Sequence, residues 1–269
     1  MYFSQSVLFT ILLWPGAMSQ LLEQDCGYTN LTVHGQDARP VSNPWKAFIL
    51  KYNVERTADV VCLGTLIHKQ FVLSAARCIA RNQVLAVRLG EYSTAKTFLV
   101  TRSFRDKNFA ADYGIKAALL QIQPDVQFNA FIRPICIITD PAEVPDVKTF
   151  RAAGWKKTAS GALSIVLKPV ELTEVNLSVC NNMYRRNLTD DHICAEHQNE
   201  DTCVSLTGGP LMQKVDMNGS LRYVQLGIIR AGVSECRNPA VYTRLSGYIE
   251  YILGVVSNYT VSSAPQILV

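Results

Sequence analysis

The stretch Cys203-Val204-Ser205-Leu206-Thr207-Gly208-Gly209-Pro210 decides the fold of this 269-residue chain. It sets one hydroxyl residue, Thr207, directly before a turn-forming Gly-Gly-Pro sequence. Two apolar stretches accompany it, Leu73-Ser74-Ala75-Ala76-Arg77-Cys78 and Lys116-Ala117-Ala118-Leu119-Leu120, and each contains a single cation. The three stretches carry both the fold assignment and the functional prediction.

Length and composition favour a folded β-rich domain. The chain is 48% hydrophobic and only 18% charged, which argues against disorder. Short apolar runs such as Leu85–Leu89 and Val224–Ile229 are separated by turn residues, a spacing typical of antiparallel sheets. The net charge is +4, and no Lys/Arg cluster interleaves with aromatic residues. We therefore predict no nucleic-acid partner.

The N-terminus and the cysteines predict secretion to the extracellular space. The apolar run Val7–Trp14, followed by small residues, is typical of a signal peptide, here residues 1–19. The alternative, a membrane anchor, needs about 20 apolar residues, so no membrane span is predicted. Eight cysteines after such a signal favour disulfides. Five Asn-x-Ser/Thr sequons predict a glycoprotein: Asn30, Asn176, Asn187, Asn218 and Asn258.

The three stretches resemble the trypsin-like serine protease family (peptidase S1), whose patterns are C-x-G-D-S-G-G-P, T-A-A-H-C and D-I-A-L-L. The resemblance runs from about Cys26 to Asn258. It implies an all-β fold of two six-stranded antiparallel β-barrels with a cleft between them and a C-terminal helix. The expected divisions are a short N-terminal segment tethered by Cys26 (20–31), the trypsin-like domain (32–258) and a C-terminal tail (259–269). We expect the chain to cross between the barrels at Ile138–Lys148.

The resemblance also implies how the cysteines pair. The expected disulfides are Cys26–Cys136, Cys62–Cys78, Cys180–Cys194 and Cys203–Cys236.

The catalytic positions of the family hold different residues in this chain. Arg77 stands for the histidine, Lys116 for the aspartate and Thr207 for the serine. Acyl transfer needs an imidazole to accept the proton of the hydroxyl, and a guanidinium stays protonated and cannot accept it. We therefore predict no catalytic residues and a pseudoenzyme.

The resemblance implies that activation is lost as well. Leu206 replaces the aspartate that pairs with a newly cut N-terminal amine in active relatives. Leu31 replaces the basic residue before the cut, and Thr32-Val33-His34-Gly35 replaces I-V-G-G. We expect a single uncut chain with a zymogen-like cleft.

The specificity-pocket positions are Asp201, Arg230, Gly232 and Ala240. Asp201 matches the acid of relatives that prefer basic residues, and Ala240 replaces a glycine that keeps the pocket open. Arg230-Ala231-Gly232 replaces the S-W-G wall against which substrates lie. Arg230 either neutralises Asp201 and fills the pocket, or leaves it able to dock a basic side chain.

The main hypothesis is a secreted non-catalytic homologue that binds an extracellular protein, such as a protease or its substrate, as a regulator, adaptor or decoy in a proteolytic cascade. The alternative is residual peptide hydrolysis through Thr207 or Ser205. No cofactor or metal is predicted. Two cations about 6 Å apart repel by roughly 3 kcal/mol, so Arg77, Lys116 and Arg230 either extend into solvent or hold a carboxylate or sulfate in the cleft.

Overall fold

The computed structural model describes residues 21–29, 43–53, 55, 57–79, 83–90, 94–105, 117–156, 168–197, 202–204, 207–230 and 239–260. The side chains of 154–156, 168 and 202–204 are outside that description. The predicted signal peptide (1–19), the region around Leu31, Lys116, Asp201, Ser205, Leu206 and Gly232 also lie outside the described residues.

The first six strands form a closed antiparallel barrel, which we call barrel one. Its hydrogen-bonded order is β1-β2-β3-β6-β5-β4. The strands are β1 (Lys46–Tyr52), β2 (Ala58–His68), β3 (Phe71–Ala75), β4 (Leu85–Leu89), β5 (Lys96–Arg105) and β6 (Ala117–Gln123). Inward-facing positions on paired strands, such as Ile49, Val87 and Phe98, are buried together. The alternation of buried and exposed residues places one face of each strand in the core.

The next seven strands form barrel two, in the order β10-β7-β11-β12-β13-β9-β8, and pairing of β7 with β8 closes six of them into a ring. They are β7 (Thr149–Lys156), β8 (Lys168–Val175), β9 (His192–Glu196), β10 (Thr202–Val204), β11 (Pro210–Met217), β12 (Ser220–Ile229) and β13 (Ala240–Arg244). The short strand β10 pairs with the end of β7 outside that ring. The predicted all-β fold of two six-stranded barrels is confirmed.

Two helices follow strands of barrel two, α1 (Leu177–Tyr184) and α2 (Ile249–Tyr259). The predicted terminal helix is α2, and its Ile252, Val255 and Val256 belong to the hydrophobic core of barrel one. Tyr259 ends the helix one residue beyond the expected domain limit of 258, and its ring lies 4.5 Å from that of Phe104. Neither helix in the described part of the chain is long and apolar enough to cross a bilayer.

The crossing and the N-terminal segment are joined to barrel two. The disulfide Cys26–Cys136 is present, and Gly27 accepts a backbone hydrogen bond of 2.9 Å from Tyr223 on β12. Asp25 forms an ion pair with Arg133. These contacts confirm the predicted tether at Cys26.

Two further predicted disulfides, Cys62–Cys78 and Cys180–Cys194, are also present. The fourth, Cys203–Cys236, lies outside the described residues. Of the five sequon asparagines, Asn30 is outside the description. The other four, Asn176, Asn187, Asn218 and Asn258, are exposed at the surface, where a glycan can be attached.

Candidate functional site

Arg77 lies on a short turn that barrel one presents toward barrel two. Strand β3 is buried along its whole length and runs directly into a 3₁₀ turn, Ala76–Cys78. Ala76 and Cys78 are buried, whereas Arg77 between them is exposed. The disulfide to Cys62 on β2 anchors the turn. Arg77, the residue expected at the position of the family's histidine, is therefore held on an anchored turn with its side chain exposed to solvent.

The segment of barrel two that contains Thr207 is held against this turn by the backbone. The carbonyl oxygen of Thr207 accepts a 2.9 Å hydrogen bond from the Leu63 amide, next to the Cys62 half-cystine. The Sγ atom of Cys78 lies 3.6 Å from the same oxygen. Thr207 itself is partly buried. The structure thus brings together the predicted positions Arg77 and Thr207, 130 residues apart in the sequence.

Gly208 makes this close approach possible. Its φ is +90°, in the left-handed region that favours glycine. A Cβ atom there would stand 2.1 Å from the Leu63 carbonyl oxygen and 2.2 Å from Ser74 Oγ. The Gly208 amide donates a 2.9 Å bond to Ile229 on β12, and the Ile229 amide returns a 2.8 Å bond to Gly209. These bonds fix the backbone after Thr207 between β12 and barrel one.

The residue that follows the expected position of the orienting acid lies beside the same turn. Lys116 is outside the described residues, but its neighbour Ala117 begins β6 and pairs with Ala75, the last residue of β3.

The described histidines form other contacts. His68 is buried, and its Nδ1 accepts a 3.1 Å hydrogen bond from the Gln70 amide. Burial lowers the pKa of His68 to about 4. The ring of His192 contacts Thr189 at 3.3 Å. Nearby residues engage both rings, and Glu23 Oε1 in the N-terminal segment lies 3.6 Å from His68 Nε2. His197 is buried, and His34 lies outside the described residues.

Arg230 is the centre of a cluster of positive charge. It follows β12, beside Ile229, and is half-buried. Its pKa is lowered, chiefly because burial disfavours the charged guanidinium, then by the charges of Arg186 and Arg77. The pKa of His192 is lowered as well, mainly by burial, and the charge of Arg230 contributes. We call Arg77, Arg186 and Arg230 the arginine cluster.

Sequence reasoning found two members of this cluster and missed Arg186. Arg186 lies two residues after α1, and its amide bonds the Asn181 carbonyl at 3.1 Å. Its one local signal is the dibasic pair Arg185-Arg186 before the sequon Asn187. A surface basic pair is common, so nothing local distinguished it.

The predicted specificity pocket is described in part. Ala240 begins β13 and is half-buried, paired with Ala195 on β9. Beside it, Tyr184 at the end of α1 donates a 2.7 Å hydrogen bond to the Pro239 carbonyl. Because Asp201 and Gly232 are outside the described residues, the expected pairing of Arg230 with Asp201 stays a prediction.

Comparison with known proteins agrees with this geometry. A profile of the family described as Trypsin matches residues 32–252. The protein named CLIP domain-containing serine protease B15 of Anopheles gambiae is 29% identical over 250 residues, covering 81% of this chain and 67% of the relative. Serine protease grass of Drosophila melanogaster is 27% identical over 266 residues, covering 87% and 70%.

Among solved structures, the Drosophila Grass clip serine protease of the Toll pathway aligns with a TM-score of 0.73 and 23% identity. The alignment covers 87% of this chain and 75% of that chain, and at this identity it supports the fold alone. The two barrels carry this fold, and the profile covers well over half of the sequence. The chain therefore belongs to the trypsin family.

Proposed function

We propose that this chain is a secreted, non-catalytic member of the trypsin family that acts by binding another extracellular protein. The observation that carries the proposal is Arg77, exposed on the turn beside the Thr207 segment, at the position of the family's general base. A guanidinium cannot accept the proton of a hydroxyl. Without that transfer, the Thr207 oxygen remains a weak nucleophile.

The rest of the site supports binding rather than turnover. Arg230 adds a second cation in a half-buried position near Arg77. The two charges repel, so another cation is held there only at a higher free energy. A triad needs a carboxylate to stabilise an imidazolium. The matching positions hold Lys116 and Arg77, so neither an acid nor a histidine stands there. The retained disulfides and barrels keep a rigid surface that can recognise a partner.

The similarity to relatives named CLIP domain-containing serine protease B15 and serine protease grass supports a place in an extracellular proteolytic cascade. In such a setting a member that binds without cutting acts as a regulator, an adaptor or a decoy. We infer that role for this chain.

The test of inactivity uses the secreted full chain and a fluorophosphonate probe, with a fluorogenic peptide substrate alongside. We expect no stoichiometric labelling and turnover about 10⁴-fold or more below that of an active trypsin-like enzyme. The matched variant is Thr207→Ser, which restores the family's nucleophile but keeps Arg77. It should remain unlabelled, because the proton acceptor is still missing. Labelling of either protein would refute the proposal.

The binding half is tested by size-exclusion chromatography of the native extracellular fluid, followed by mass spectrometry. We expect this chain to elute in a complex with another protein at a constant ratio across the peak. Elution of the whole population at the size of the free secreted chain contradicts a binding role.

A further inference from the structure

Three elements that are distant in sequence contribute to the arginine cluster. Arg77 comes from the turn after β3, Arg186 from the loop after α1, and Arg230 from the end of β12. The Leu63 amide, next to the disulfide that anchors the Arg77 turn, binds the Thr207 carbonyl. Ile229, next to Arg230, exchanges backbone hydrogen bonds with Gly208 and Gly209. The backbone therefore holds Arg77 and Arg230 on either side of one segment.

The cluster consists of like charges that act on one another. Arg186 and Arg77 both oppose the charge of Arg230, which is half-buried. Neither Arg77 nor Arg230 forms an ion pair with any acidic residue that the structure describes. Holding a guanidinium partly out of water beside another cation is unfavourable unless an anion accompanies it. The arrangement is therefore suited to an anionic ligand.

The donor geometry of a guanidinium and the half-buried position of Arg230 favour a single carboxylate over a polyanionic chain. A guanidinium presents a planar fork of N–H donors that matches a carboxylate in two parallel hydrogen bonds. Because Arg230 is half-buried, a small charged group on a slender side chain reaches it best. A sulfated polysaccharide would instead be held by a row of exposed cations along the surface.

We propose that Arg77 and Arg230, with Arg186 beside them, bind a glutamate or aspartate side chain from an acidic segment of the partner protein. This inference rests on the proposed function, since it names the chemistry of the partner at the same site. It turns the altered triad position, Arg77, into a recognition residue.

The test measures binding of a short peptide with two glutamates to the secreted full chain by calorimetry at low and physiological salt. The glutamine counterpart of the peptide should bind about tenfold more weakly, or not at all. The double variant Arg77→Gln/Arg230→Gln should lose about tenfold or more in affinity for the glutamate peptide. The control Lys96→Gln/Arg102→Gln removes two exposed cations from β5 and should stay within about twofold of the wild type.

Two outcomes overturn the inference. One is unchanged peptide affinity in the Arg77→Gln/Arg230→Gln variant. The other is that a sulfated oligosaccharide binds at this cluster in preference to the glutamate peptide. Should the double variant misfold, the single variant Arg77→Gln answers the question, because its side chain is exposed.

The unfolding temperature of the free protein gives a second readout. Without peptide, Arg230→Gln should unfold at the same temperature as the wild type or higher, because a repulsive charge is removed. A lower unfolding temperature contradicts the account of mutual repulsion. If the peptide does not bind and the fluorophosphonate probe does not label the protein, only this inference is refuted. If the probe labels the protein, the proposed function is refuted.

Discussion

Gly208 packs so closely on Ser74 that a Cβ atom at position 208 would lie 2.2 Å from the Ser74 hydroxyl oxygen. Ser74 belongs to β3 of barrel one and donates a 2.6 Å hydrogen bond to the Leu63 carbonyl. Gly208 belongs to the segment that leads into β11 of barrel two. The contact joins the barrels where Arg77 and Thr207 meet, so the geometry of the altered site depends on it.

Replacing Gly208 tests this contact. Gly208→Ala should lower the free energy of unfolding by about 3 kcal/mol or more, since a clash with two oxygen atoms adds to the strain of a positive φ. Gly219→Ala is the matched control, because Gly219 also has a positive φ, +80°, but open space around it. It should cost only about 1 kcal/mol. Urea unfolding of both variants gives the comparison.

Equal losses in the two variants would mean that backbone strain alone accounts for the effect. The contact between Gly208 and Ser74 would then have no special role in joining the barrels.

Stability should fall as the pH drops from 6.5 toward 4 because of His68. Its pKa is lowered to about 4 by burial first and by the charge of Lys69 second, while Asp125 opposes the shift. Since the unfolded chain binds this proton more readily, stability is full above pH 6.5 and declines by up to about 1.4 kcal/mol per pH unit below it. Glu23 acts in the opposite direction, because burial raises the pKa of its carboxyl group. Its contribution to the stability of the folded state therefore increases as the pH falls.

The variant His68→Asn keeps an acceptor near the Gln70 amide but removes the titrating ring. Urea unfolding at pH 7, 6 and 5 should show a flatter pH dependence than in the wild type. Glu23→Gln, which removes the opposing contribution, should make it steeper. Parallel curves for the wild type and His68→Asn would contradict this assignment.

Asn176 has two separate roles that can be tested apart. Its Oδ1 accepts a 2.9 Å hydrogen bond from the Ser178 amide and caps α1. A glycan would be attached through the amide nitrogen and leave this oxygen free to accept. Asn176→Asp should keep the cap and lose the sequon, whereas Asn176→Ala should lose both and cost about 1 kcal/mol more.

The measurement is thermal unfolding of both variants after enzymatic removal of the remaining glycans. Intact mass before that treatment should fall by one glycan in each variant. Equal unfolding temperatures for the Asp and Ala variants would show that the cap does not stabilise the helix.

Individual elements could be predicted from the sequence because their signals are local, whereas the arrangement in two barrels was implied by the resemblance to the trypsin-like family. The Gly208-Gly209-Pro210 turn, the apolar strands and the spacing of Ile249, Ile252 and Val256 on α2 each report their own conformation. Helix α1 was not predicted. It has eight residues, and its apolar stripe of Leu177, Cys180 and Tyr184 is too short to stand out in the sequence. Strand β10, with three residues, was too short for its pairing with β7 to be expected.

By itself, the sequence determined the chemistry available at Arg77, because no folding enables a guanidinium to accept the proton of a hydroxyl. It also determined which cysteines were available to pair. Only the tertiary structure decided that Arg186 joins Arg77 and Arg230, residues separated by more than 40 positions from one another. Their proximity arises from long-range backbone hydrogen bonds and from the packing of two barrels, and neither leaves a trace in local sequence.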